Sequence, residues 1–135
     1  MVKDKKKSMI NFLEPPQEQL KSLLECYQTG RYVDAEKLSV SITEEFPKHT
    51  FAWKVLGAAL KQMGKINESL IASQKSVQLG PLDTEAHYNL ANTLKELGRL
   101  DEAEVSYKKA IELKTDYAEA HYNLANTLKE LGRLD

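Results

Sequence analysis

His87 and His121 stand 34 residues apart in near-identical surroundings, and a shared metal is the first chemistry such a pair suggests. A metal needs further ligands converging within a few ångströms, and the spacing supplies none. Each histidine instead occupies the position held by Trp53 one period earlier, where a ring packs between helices. Cys26 lies among Leu20, Leu23 and Leu24 and reads as a small core residue. As the single cysteine it excludes an internal disulfide framework and fits a reducing compartment. Paired acids such as Asp101 and Glu102 sit where a helix start favours negative charge. There is neither a glycine-rich phosphate loop nor a Ser/Cys–His–acid pattern in a recognisable context. The sequence therefore predicts no catalytic residue, no metal and no cofactor.

What recurs instead is chemistry suited to recognition. Lys61, Lys95 and Lys129 form a row of cations suited to carboxylates. Asn89 with Asn123, and Asn92 with Asn126, form two amide rows that can both donate to and accept from a peptide backbone. Asp101 is expected to cap the helix that follows it, with Glu104 completing a capping box.

The elements that position these rows follow from one period. Glu85 to Asp101 reads EAHYNLANTLKELGRLD, and Glu119 to Asp135 repeats it 34 residues later. The same offset aligns Gly30, Gly64, Gly98 and Gly132; Ala35, Ser69 and Ala103; Gly57, Ala91 and Ala125; and Pro47, Pro81 and Thr115. Within one unit, Ala86, Leu90, Ala91, Leu94 and Leu97 recur at helical spacing. Gly98 then ends the helix, and Ala103, Tyr107, Ala110, Ile111 and Leu113 form the stripe of a second one. Seven helices are expected, near 16–29, 33–46, 50–63, 67–79, 84–97, 101–114 and 118–131. Longer helices without a fixed period would suggest a four-helix bundle, and sustained heptads a coiled coil; neither is compatible with the glycine breaks.

The glycine, alanine and proline columns, with the Trp53-x-x-Leu56-Gly57 run, resemble the tetratricopeptide-repeat (TPR) family over about residues 16 to 135. The resemblance implies an all-α fold, a right-handed α-α superhelix of about three and a half helix-turn-helix repeats. It divides the chain into a basic leader (1–15), a diverged first repeat (16–49), a second (50–83), a third (84–117) and the first helix of a fourth (118–135). Departures fall in the first repeat, which has Gln19 in the tryptophan column, and in the second. There Ser69, Ser73 and Ser76 replace alanine, aromatic and alanine, which predicts loose packing of that helix.

In such solenoids the first helices of successive pairs line one concave surface, on which TPR proteins bind peptides or partner helices. The residues placed there are Lys54, Lys61, Tyr88, Asn89, Asn92, Lys95, Tyr122, Asn123, Asn126 and Lys129. A similar asparagine ladder lines the groove of O-linked N-acetylglucosamine transferases, reaching Asn89 and Asn123 here. Val55 and Ala58 interrupt it in the second repeat. A co-chaperone carboxylate clamp is not expected, since Ala58, Glu119 and Asn123 depart from its pattern.

Composition sets the outer bounds. With 19 Lys+Arg against 20 Asp+Glu, no overall charge steers the chain to nucleic acid or anionic membrane. No apolar run has the length of a secretion signal or a membrane span, so a cytoplasmic protein is expected. Function is expected to be that of an interaction scaffold for a protein or peptide. The alternatives are an accessory segment of a larger transferase and an engineered or purely structural repeat array. The last helix, carrying Leu124, Leu128 and Leu131, lacks its hairpin partner, which suggests a truncated array and weak head-to-tail self-association. Ile10, Phe12 and Leu13 of the leader are candidates to cover the other end.

Overall fold

The architecture follows from how each helix stops. In the computed structural model, which describes residues 14–133, the helices are α1 (Gln17–Gln28), α2 (Tyr32–Glu45), α3 (Thr50–Gln62), α4 (Ile66–Leu79), α5 (Thr84–Glu96), α6 (Leu100–Leu113) and α7 (Ala118–Glu130). The leader residues Ile10, Phe12 and Leu13 lie outside the described residues. Each odd-numbered helix runs into a glycine of positive φ; at Gly98 the value is 76°. There the Gly98 N–H donates to the Lys95 carbonyl and the Arg99 N–H to the Leu94 carbonyl, both at 2.9 Å. This is the paired bond set of a Schellman cap.

Arg99 thus closes α5 while standing immediately before α6, which leaves no linker. That corrects the expected capping box. The helix begins at Leu100, Arg99 holds the N-cap position without a side-chain cap, and Asp101 lies inside the first turn. Glu104 instead accepts from Lys108 and from Arg133, both at 2.6 Å. The acids still face the positive end of the helix, where they are favourable as charges rather than as caps.

Joins between repeats are tied differently. His49 and Asp83 accept from the backbone N–H groups of Ala52 and Ala86, at 3.3 and 3.2 Å. Just inside each helix, an aromatic ring reaches back six residues to a carbonyl. Trp53 Nε1 donates to Pro47 at 2.8 Å, while the Nε2 atoms of His87 and His121 meet the carbonyls of Pro81 and Thr115 at 2.7 and 2.8 Å. Histidine can stand for tryptophan here because both present a ring nitrogen at the same point. Thr115 can stand for proline because the bond uses the carbonyl, which every residue has.

Small residues set the helix spacing. Ala35, Ser69 and Ala103 are fully buried, as are Ala52 and Ala120, with Ala86 nearly so. Cys26 joins the N-terminal core with Leu23, Ile42, Phe46 and Val55. On α4, Ser69, Ser73 and Ser76 are all buried. Gly57 allows it, because a Cβ there would lie 2.8 Å from Ser73 Oγ. Ser69 Oγ donates to the Gly57 carbonyl at 2.7 Å and meets Thr93 Oγ1 at 3.3 Å. Besides its hairpin partner, each odd helix touches the next odd helix, so α1, α3, α5 and α7 together present one continuous face.

Candidate functional site

Four cavities follow one another along that face, and each shares walls with the next. The first, about 430 Å³, lies over Leu20, Leu24 and Phe51. Leu24 and Phe51 also border the second, about 300 Å³, which reaches Tyr27, Ala58 and Asn89. Those three line the third, about 190 Å³, with Lys61, Tyr88 and Asn92 on its far side. The last, about 510 Å³, takes in Lys61, Asn92, Lys95, Asn123 and Glu130. The groove therefore grades from an apolar start to a polar end of mixed charge.

The residues expected to face it divide by what already holds them. Lys54 is engaged within the fold: its ammonium lies 3.1 Å from Asp83 and 3.7 Å from Glu85. It ties α3 to the start of α5. Tyr88 packs against Tyr117 and Tyr107, with ring centroids 4.9 and 6.1 Å apart, so its ring belongs to the C-terminal core. Its hydroxyl still reaches the groove, where it accepts from Asn123 Nδ2 at 2.9 Å. Asn92 Oδ1 accepts from the Tyr107 hydroxyl at 2.5 Å and from Asn123 Nδ2 at 3.3 Å. Asn92 and Asn123 thus reach one another, joined by two tyrosines.

Others are left to solvent. Among the described residues, Asn89 and Asn126 make no side-chain hydrogen bond, and Lys61, Lys95 and Lys129 form no ion pair. Asn89 borders two cavities, whereas Asn126, Tyr122 and Lys129 border none of the four. Tyr122 is 69% exposed.

Burial raises the pKa of Tyr27, Tyr107 and Tyr117, the last to about 12, with Tyr88 adding to the shift of the latter two. These phenols remain neutral donors at ordinary pH. The tyrosine–asparagine network was missed in sequence because it joins side chains from three helices. Its only trace is that Tyr107 is an aromatic residue carrying a polar atom on a buried stripe.

Two family models match, a tetratricopeptide repeat over residues 72–105 and a TPR repeat over 91–132. Together they cover residues 72–132, from within α4 to the end of α7. Residues 72–132 match tetratricopeptide-repeat models, and the described helices have the fold of a TPR solenoid. No curated protein matches it. Among solved structures it is similar to the first TPR of Spaghetti (RPAP3) bound to an HSP90 peptide, at TM-score 0.82 and 19% identity, covering 87% of this chain and 96% of that one. It is similar to the Yersinia enterocolitica type III secretion chaperone SycD in complex with a peptide of the translocator YopD, at TM-score 0.76 and 20% identity, covering 86% and 91%. A third similarity is to the Thermobaculum terrenum O-GlcNAc transferase, at TM-score 0.76 and 26% identity, covering 86% of this chain but 23% of that one. Among the described residues no helix is long and apolar enough to cross a membrane.

Proposed function

We propose that this TPR array is a protein-interaction scaffold whose α1–α3–α5–α7 face holds a peptide or a partner helix. The observation that carries the reading is the unbroken run of cavities along that face, from Leu20 and Phe51 to Asn123 and Glu130. An occupant suited to it has apolar side chains toward α1 and polar groups toward α7. Asn89, Asn92 Nδ2, Lys61 and Lys95 offer donors to its carbonyls and carboxylates. Solved TPR structures with bound peptides support a peptide-binding use of the fold.

Asn89→Ala is the informative substitution, because that side chain borders two cavities without holding the fold together. Asn92→Ala would also strand the Tyr107 hydroxyl. Capture of binding proteins by the unaltered chain, by Asn89→Ala and by Lys61→Ala/Lys95→Ala tests the assignment. Partners recovered equally by all three would place binding on another surface. The similarity to a transferase's TPR region supports a second reading, a recruiting segment of a larger enzyme, in which the same groove would hold the enzyme's protein substrate.

A further inference from the structure

Internal repetition shows what belongs in each position, and one position in the second repeat is empty. In the third repeat the ring of Tyr107 is fully buried between α5 and α6, and its hydroxyl donates to Asn92 Oδ1. Thirty-four residues earlier the same two positions hold Ser73 and Ala58. A phenol and its acceptor have both been replaced by small groups, and although Gly57 and Ser73 lie close together, space remains on the α5 side. The third groove cavity, about 190 Å³, lies there, with Gly57, Ala58, Ser73 and Thr93 among its walls. A cavity of about 150 Å³ is sufficient to take benzene.

Its chemistry is not that of a dry hole. Ser73 is only 3% exposed, borders the cavity, and makes no side-chain hydrogen bond among the described residues. Asn92 borders it too, with Oδ1 committed to Tyr107 and Asn123 while Nδ2 remains a donor. The Ser73 hydroxyl opens on the cavity and, with Asn92 Nδ2, offers polar partners to an occupant that is both flat and polar. Tyr27, Lys61 and Asn89, all partly exposed, stand at its open side on the groove.

We propose that this pocket receives a tyrosine side chain of the bound partner, its ring between α3 and α5 and its hydroxyl bonded to Ser73 and Asn92. The inference rests on the groove reading and adds an anchor to it. A single aromatic seated in a desolvated pocket is how most interfaces concentrate their affinity.

The test uses p-cresol and toluene as probes of the ¹⁵N-labelled chain by NMR. p-Cresol is expected to give saturable millimolar shifts at Gly57, Ser73, Asn89 and Thr93, and to bind several-fold more tightly than toluene. Ser73→Ala keeps the space but removes the hydroxyl, and should weaken p-cresol roughly fivefold while leaving toluene unchanged. Ser73→Tyr with Ala58→Asn rebuilds the pair seen at Tyr107 and Asn92, and should abolish binding of both; Ala58→Asn alone should weaken both. Absence of saturable shifts, or shifts that survive the double variant, overturns the pocket. A capped pentapeptide with a central tyrosine, compared with its phenylalanine and alanine versions, tests the peptide assignment. It should bind in the order Tyr, Phe, Ala and shift Lys61 and Asn92 as well. If p-cresol saturates and the peptides do not bind, the tyrosine-anchor assignment is overturned and only a small-phenol pocket is left. If partners are lost in Asn89→Ala but captured equally by the double variant, the groove stands and the tyrosine anchor falls.

Discussion

Replacing Ser76 with alanine should stabilise the protein. The Ser76 hydroxyl is buried on α4 and has no hydrogen-bond partner among the described residues. Leaving such a group unsatisfied costs about 1–3 kcal/mol. Alanine is also the better helix former than serine by about 0.5 kcal/mol. The repeat supplies the precedent, since the matching position on α6 is Ala110, fully buried in an equivalent hairpin. The expected gain is about 2 kcal/mol, which at a urea m-value near 2 kcal/mol/M raises the midpoint by about 1 M. Ser69→Ala provides the control, on the same helix and equally buried. That hydroxyl is bonded to the Gly57 carbonyl and to Thr93. Losing it costs about 1 kcal/mol, offset by the same propensity gain of about 0.5 kcal/mol, for a slight net loss. Urea unfolding followed by circular dichroism at unchanged m should therefore separate the two variants by roughly 2.5 kcal/mol. Midpoints agreeing within error would refute the reasoning, because burial alone would then be insensitive to whether the hydroxyl is satisfied.

Gly98→Ala meets no atom within 4 Å of the added Cβ, so only its φ of 76° opposes the change; thermal unfolding should show a loss of about 1–2 kcal/mol, and a smaller one for Gly98→Asn. Tyr117 has its pKa raised to about 12 by burial, with Tyr88 and the nearby carboxylates of Glu85, Glu119 and Asp83 adding to the shift. The native state then holds a proton that the unfolded state releases near pH 10, so stability should be intact below about pH 10 and fall as pH rises toward 12. Tyr117→Phe should flatten that fall in melts recorded from pH 8 to 11.5, and an unchanged slope would show that Tyr117 does not contribute to it. On α7, Leu128 is only partly buried and His121 is exposed, whereas Leu94 and His87 in the preceding repeat are buried. Weak self-association through this end is expected in sedimentation at high micromolar concentration and should diminish in Leu128→Glu; a strict monomer refutes it.

The repeat, its helices and their stops were legible in the sequence because they depend on local rules. Helical spacing of apolar residues and a glycine every 34 positions are properties of one segment at a time, and the predicted helix ends agree with the structure to within one residue. The capping box failed because the Schellman cap of one helix consumes the residue that would have begun a linker, and so shifts the next helix forward by one. What each side chain does was decided only by assembly. Glu119 to Arg133 copies Glu85 to Arg99, yet Asn92 is bonded to Tyr107 of α6 while Asn126 makes no side-chain hydrogen bond among the described residues. Lys54 reads as a free cation until α5 brings Asp83 to it. The Ser73 pocket likewise exists only between helices, as the difference between two repeats that share a backbone and not a side chain. Sequence periodicity determines where the helices lie, since that is a sum of short-range terms. Which polar groups are consumed by the fold and which remain for a partner depends on contacts between residues 15 to 35 positions apart, and only the tertiary structure brings those together.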